Sequence, residues 1–133
     1  MEARELTLNS KPSCILELET YLSKVFADFH INDERCPDIL ISVTEAVNNA
    51  IIHGNKSDEN KVVHVDCNTE HDCLCVTVSD EGIGFDPDAV PDPTTSDYIE
   101  CCGGRGVFIM SRLADQISFK DNGRKVEMYF KLA

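Results

Sequence analysis

The sequence predicts an α+β fold: a two-layer sandwich in which helices cover one face of a mostly antiparallel sheet. Two early segments repeat apolar residues at helical spacing, and several short segments alternate apolar with polar residues. The later alternating segments come as adjacent pairs with short connections, which is how antiparallel strands follow one another. At 133 residues, with 42% hydrophobic and 27% charged residues, the chain fits a single globular domain over 1–133. A domain of this size buries roughly two thirds of its unfolded surface and needs no disulfide staples.

The elements follow in order. Residues 4–9 alternate as a short strand, and Ser10-Lys11-Pro12 then opens a helix. Ile15, Leu18, Leu22, Val25 and Phe29 recur at helical spacing through residues 13–29. Asn32 and Asp33 supply turn and capping chemistry before a second helix, which begins by Pro37 and ends at Gly54-Asn55, where glycine suits a left-handed C-cap. Within it Ile39, Leu40, Val43, Ala46, Val47 and Ala50 form one apolar stripe.

Residues 61–68 and 72–79 have the period of a half-buried strand, joined by Asn68-Thr69-Glu70-His71. From Asp86 to Gly103 the chain carries three prolines and few apolar residues, the composition of a lid, a binding loop or a disordered segment. A helix at about 107–114 and a strand at 117–120 follow. The turn Asp121-Asn122-Gly123 then leads to a last strand in which Val126, Met128, Phe130 and Leu132 alternate with polar residues.

Charge and cysteine content restrict the function classes. Twenty-four acidic against 12 basic residues give a net charge of −12, which repels a phosphate backbone. Direct nucleic-acid binding is therefore not expected; a basic protein partner would be steered toward this surface, and the charge also favours solubility. No run approaches the ~18 apolar residues of a membrane span, and Met1-Glu2-Ala3-Arg4-Glu5 is unlike a signal peptide, so the expected location is the cytoplasm. Seven cysteines, an odd number without C-x-x-C spacing, read as free thiols acting as small hydrophobes rather than as a metal site.

Three features carry chemistry. Glu45, Asn49 and His53 stand at i, i+4 and i+8 on the second helix, away from its apolar stripe. A polar row at this spacing is also what a solvated face looks like. Asp80 continues the parity of Leu74, Val76 and Val78, so it emerges on the core side, where a carboxylate needs a hydrogen-bond donor or a ligand. Glu81-Gly82-Ile83-Gly84 follows at once, either an ordinary strand-ending turn or a backbone that lets a ligand come close. Finally Gly103-Gly104-Arg105-Gly106 runs into a helix start, where free N–H groups and a guanidinium suit an anion. It has neither Walker A nor Rossmann form.

In sequence these are an E-x-x-x-N-x-x-x-H helix, a D-x-G-x-G turn after a strand, a long lid and a G-x-G at a helix start. That order resembles the Bergerat ATP-binding fold of the GHKL superfamily. Residues 42–54, Ser-Val-Thr-Glu-Ala-Val-Asn-Asn-Ala-Ile-Ile-His-Gly, look especially like the N-box of anti-sigma factor serine kinases. The resemblance covers nearly the whole chain and implies an ATP- and Mg²⁺-dependent serine/threonine kinase with an ATP lid at about 86–103. It would phosphorylate a STAS-domain anti-anti-sigma protein and sequester a sigma factor in a partner-switching system; relatives imply a homodimer. By the same resemblance, Glu45 would be catalytic, as general base or by orienting the attacking hydroxyl, Asn49 would ligate Mg²⁺, and Asp80 would accept a hydrogen bond from the adenine amino group. Gly82 and Gly84 would line the base pocket, Gly104 and Gly106 would present amides to the phosphates, and Arg105 would reach the γ-phosphate.

Two departures from the family pattern stand out. The Thr that many members carry near the start of the last strand is absent, since Gly123 is followed by Arg124-Lys125, and the lid contains Cys101-Cys102. Two other readings are a nucleotide-responsive binding module without kinase activity and a redox regulator acting through the lid cysteines.

Overall fold

The computed structural model describes residues 3–11, 13–55, 58–82, 112–121 and 124–132. Five strands form one sheet: β1 (Ala3–Asn9), β2 (Val62–Glu70), β3 (Cys73–Ser79), β4 (Gln116–Lys120) and β5 (Lys125–Lys131). Their spatial order is β1-β2-β3-β5-β4, and every neighbouring pair is antiparallel. Two helices lie between β1 and β2 in sequence, α1 (Cys14–Asp28) and α2 (Cys36–Asn49), and both bury apolar residues in the core shared with the sheet. The α+β reading holds.

Alternation along each strand decides which side chains enter that core. Val63, Val65 and Cys67 of β2, Leu74, Val76 and Val78 of β3, and Val126, Met128 and Phe130 of β5 are buried. Leu18, Leu22 and Val25 of α1 and Ile39, Val43, Ala46 and Val47 of α2 meet them from the helical layer, as their spacing requires. Each fully buried Leu or Val contributes about 1.5–3 kcal/mol, so this contact between helices and sheet is the main source of stability. The five described cysteines are free, and burial pushes the Cys67 thiol up to about 12.

Arg35 ties the start of α2 to the far end of the sheet. Its guanidinium contacts Asp115, donates to Asp38 Oδ2 at 2.8 Å and to the Lys131 carbonyl at 3.2 Å, and lies 5.5 Å from the Phe130 ring centroid. Asn32 Oδ1 accepts the Glu34 N–H at 2.9 Å, the turn chemistry anticipated before α2.

Three local expectations are corrected. The β2–β3 connection is not residues 68–71, because β2 continues to Glu70 and the reversal falls on His71 and Asp72. Both have positive φ, 51° and 58°, which a two-residue turn matching the sheet twist demands; the eye looks for Asn-Gly there and finds neither. The second helix does not run unbroken to residue 53: after Asn49 it continues as a single π turn, η1 (Ala50–Gly54), with Asn55 N–H bonded to the Ala50 carbonyl at 2.7 Å. Gly54 is not in the left-handed region and serves a different purpose, described below.

The whole expected lid at 86–103 and residues 107–111 of the expected helix lie outside the described residues, as do Asn122 and Gly123. Arg124 N–H bonds to the Asp121 carbonyl at 3.1 Å.

Candidate functional site

The site begins where α2 ends. Glu45 and Asn49 are both half-buried on its last two turns, and the Asn49 side-chain amide has a buried Nδ2 with no hydrogen-bond partner among the described residues. Leaving such a donor unpaired costs about 1–3 kcal/mol, which a ligand oxygen placed beside it would recover. His53, which extrapolation at four-residue spacing would put on the same row, is exposed. The π turn inserts an extra residue per turn and breaks that spacing.

Five residues beyond Asn49, η1 delivers Gly54 directly against Asp80. A Cβ on Gly54 would overlap the Asp80 carboxyl group, with Oδ1 only 2.7 Å away. Gly54 is therefore a glycine because a carboxylate fills the place of its side chain. From Asn49 to Gly54 is no more than about 8 Å of helix rise, so the orphaned amide and the carboxylate share one corner of the molecule.

Asp80 is held from several directions. Its N–H bonds to the Arg124 carbonyl at 2.9 Å, which continues the β3–β5 ladder one step past Ser79. Its Oδ1 accepts the Gly82 N–H at 2.8 Å, while Oδ2 accepts no hydrogen bond among the described residues. Burial raises the carboxyl above the ordinary aspartate range, against the opposing pull of the Gly82 N–H and of the Arg124 and Lys61 charges. Gly82 is buried, and a Cβ on it would run into the Gly54 carbonyl, so the turn after β3 and the end of η1 interlock backbone to backbone. Arg124 thus supplies Asp80 with both a backbone acceptor and a positive charge.

One residue in this corner went unnoticed in the sequence. Asn55 is 1% exposed; its Nδ2 donates to Ser10 Oγ at 2.9 Å and to the Val62 carbonyl at 3.0 Å, and its Oδ1 accepts the Glu81 N–H at 2.8 Å. Its partners lie 45, 7 and 26 residues away along the chain, so no local spacing could reveal it.

The structure thus brings Gly54, Asp80 and Gly82 into contact just past the end of β3, with Asn49 and Glu45 on the helix that leads into η1. Gly84, Gly104, Arg105 and Gly106 lie outside the described residues. The donor set fits a magnesium nucleotide: a side-chain amide for metal or phosphate oxygen, a carboxylate with an uncommitted oxygen, and glycines that admit close approach.

Comparison with known proteins bears on the family. A family model described as "Histidine kinase-like ATPase domain" matches residues 8–130. Anti-sigma F factor of Clostridium perfringens is 37% identical over 105 residues, covering 74% of each chain. Serine-protein kinase RsbW of Bacillus subtilis is 29% identical over 126 residues, covering 89% of this chain and 78% of that one. Among solved structures, that of the RsbU and RsbW domains of a Mycobacterium tuberculosis protein covers 99% of this chain with a TM-score of 0.71. At 14% identity it speaks for the fold alone, and this chain spans 32% of that longer chain. With the family model spanning nearly its whole length, the chain belongs to the histidine kinase-like ATPase domain family, among the anti-sigma factor serine kinases.

Proposed function

We propose that this chain binds ATP·Mg²⁺ in the corner formed by the end of α2, η1 and the Asp80–Gly82 turn, and transfers the γ-phosphoryl group to a serine of a small STAS-domain protein. Its alternative complex holds a sigma factor; it acts in the cytoplasm, as a dimer. The observation that carries the reading is the buried, unpartnered Asn49 amide, one π turn away from a half-buried carboxylate.

Asp80 Oδ2 accepts the adenine amino hydrogen, with the carboxylate steadied by Gly82 N–H on its other oxygen. The Asn49 amide holds the metal–phosphate group, and Glu45, one turn earlier on the same helix, takes the proton from the attacking serine hydroxyl. Gly84, Gly104, Arg105 and Gly106 are assigned to the base pocket and the phosphates. Mg²⁺, when bound, neutralises charge between the phosphates. Phosphoryl transfer is chiefly a matter of alignment and charge neutralisation, which one amide ligand, backbone donors and a base can supply. The names anti-sigma F factor and serine-protein kinase, borne by relatives, support the choice of protein partners over a small-molecule substrate.

Incubation with γ-labelled ATP, Mg²⁺ and a STAS-domain protein tests the reading. The parent chain labels a serine of that protein, and Glu45→Ala binds ATP but transfers nothing. ATP binding without any labelling would make the chain a nucleotide-responsive binding module instead.

A further inference from the structure

Asp80 can read a base only if its carboxylate is aimed, and the peptide that follows it largely sets that aim. This peptide's N–H, on Glu81, is bonded to Asn55 Oδ1 at 2.8 Å, and the Glu81 side chain returns to accept Val62 N–H at 2.6 Å. Asn55 is itself immobilised: both its amide hydrogens are engaged, by Ser10 Oγ and the Val62 carbonyl, and Ser10 donates in turn to the Lys61 carbonyl at 2.8 Å. A single buried amide thus joins the ends of β1 and η1, the start of β2 and the turn after β3.

We infer that Asn55 is a positioning residue for base recognition, fixing the Asp80–Glu81 peptide so that the carboxylate faces the nucleotide. The inference rests on the nucleotide reading proposed above and extends it to a residue that does not touch the ligand. Gly54 and Gly82 restrict where the carboxylate can lie, the first by leaving it the space that a Cβ would fill and the second by its N–H on Oδ1. Asn55 restricts how it turns, because rotation of the Asp80–Glu81 peptide would break the Glu81 N–H bond. A carboxylate so held favours a donor on the base edge, as in adenine, and opposes the keto oxygen that guanine presents there.

The test compares ATP and GTP dissociation constants, each with Mg²⁺, for the parent chain and for Asn55→Ala, Ser10→Ala and Asp80→Asn. Asn55→Ala lowers the ATP-over-GTP preference about tenfold, the loss of one well-made hydrogen bond. It raises KM for ATP while kcat at saturating ATP stays within twofold. Ser10→Ala removes two bonds of the same network, the one accepted from Asn55 and the one donated to the Lys61 carbonyl, but leaves Asn55 on Glu81, so it lowers the melting temperature without moving the preference. Should Asn55→Ala not fold, Asn55→Asp, which keeps an acceptor for Glu81 N–H and gives up both donors, retains the preference. An unchanged preference in Asn55→Ala, or a collapsed one in Asn55→Asp, beside a responsive Asp80→Asn overturns the positioning role alone. No ATP binding by the parent, or an ATP preference indifferent to Asp80→Asn, removes the nucleotide reading and this inference together.

Discussion

Replacing Gly54 by alanine adds one methyl group at the point where η1 meets Asp80, and its consequences for stability and for binding can be separated. The new Cβ would overlap the carboxyl group and lie 2.7 Å from Oδ1, closer than carbon and oxygen settle. The obstacle is the end of a side chain, so Asp80 swings away and the backbone stays. That movement breaks the Gly82 N–H bond to Oδ1, a charge-assisted hydrogen bond worth about 1.5–3 kcal/mol. Against this, alanine is about 0.5–1 kcal/mol better than glycine inside a helix. The net loss is about 0.5–2.5 kcal/mol, roughly 2–12 °C in Tm for a domain of this size. Binding suffers more, since the displaced carboxylate no longer meets the adenine amino group; loss of that bond weakens ATP about 10- to 150-fold. Calorimetric titration with ATP·Mg²⁺ beside a melting curve measures both. A Gly54→Ala protein that binds ATP within twofold of the parent refutes the claim that this glycine exists to seat the carboxylate.

Gly82→Ala sets a Cβ against the Gly54 carbonyl, which is backbone and cannot swing aside, so it costs more stability than Gly54→Ala, about 3 kcal/mol, read as the larger fall in melting temperature. Asp80→Asn stabilises the apoprotein at neutral pH while weakening ATP. The folded-state pKa of Asp80 is raised, so its ionisation opposes folding at higher pH, and the Tm advantage of the variant disappears as pH falls below the unfolded aspartate value near 4. Arg35→Ala removes the contacts to Asp115, Asp38 and Lys131 and lowers stability by about 1–3 kcal/mol in thermal melts. It leaves the ATP dissociation constant unchanged, because Arg35 is about 20 Å of helix rise from Asn49. The Lys131 N–H and then Arg35 hold the Asp115 carboxyl below its usual range, so this part of the stability is present above about pH 4 and is lost as pH falls through the lowered value.

Sheet and helices were legible in the sequence because burial imposes a period. Val76, Val126 and Met128 alternate with exposed or half-buried neighbours, and Ile39, Val43 and Val47 repeat every four residues, since each element has one face to hide. Asp80 was legible for the same reason: it kept the parity of a buried face while changing chemistry. The β2–β3 turn was not, since His71 and Asp72 adopt positive φ without the glycine that usually announces it. The π turn was hidden because an extra residue per turn leaves no compositional trace. Asn55 was hidden because its side-chain bonds reach 7, 26 and 45 residues along the chain, and an asparagine after a helix-ending glycine looks like an ordinary loop residue. Pattern reveals what repeats; single buried hydrogen bonds across the fold do not repeat.

The site as a whole can be observed residue by residue. Titration of ¹⁵N-labelled protein with ATP·Mg²⁺, followed by amide NMR, reports on the Asn49 side-chain NH₂ and on the backbone N–H groups of Gly54 and Gly82 in one experiment. Large, saturable shifts at all three are the predicted result, with the Asn49 signals moving most as an unpartnered donor gains an acceptor. Saturable shifts elsewhere on the protein with these three unmoved, or no shifts at all at millimolar nucleotide, would contradict a nucleotide bound between α2 and the Asp80 turn.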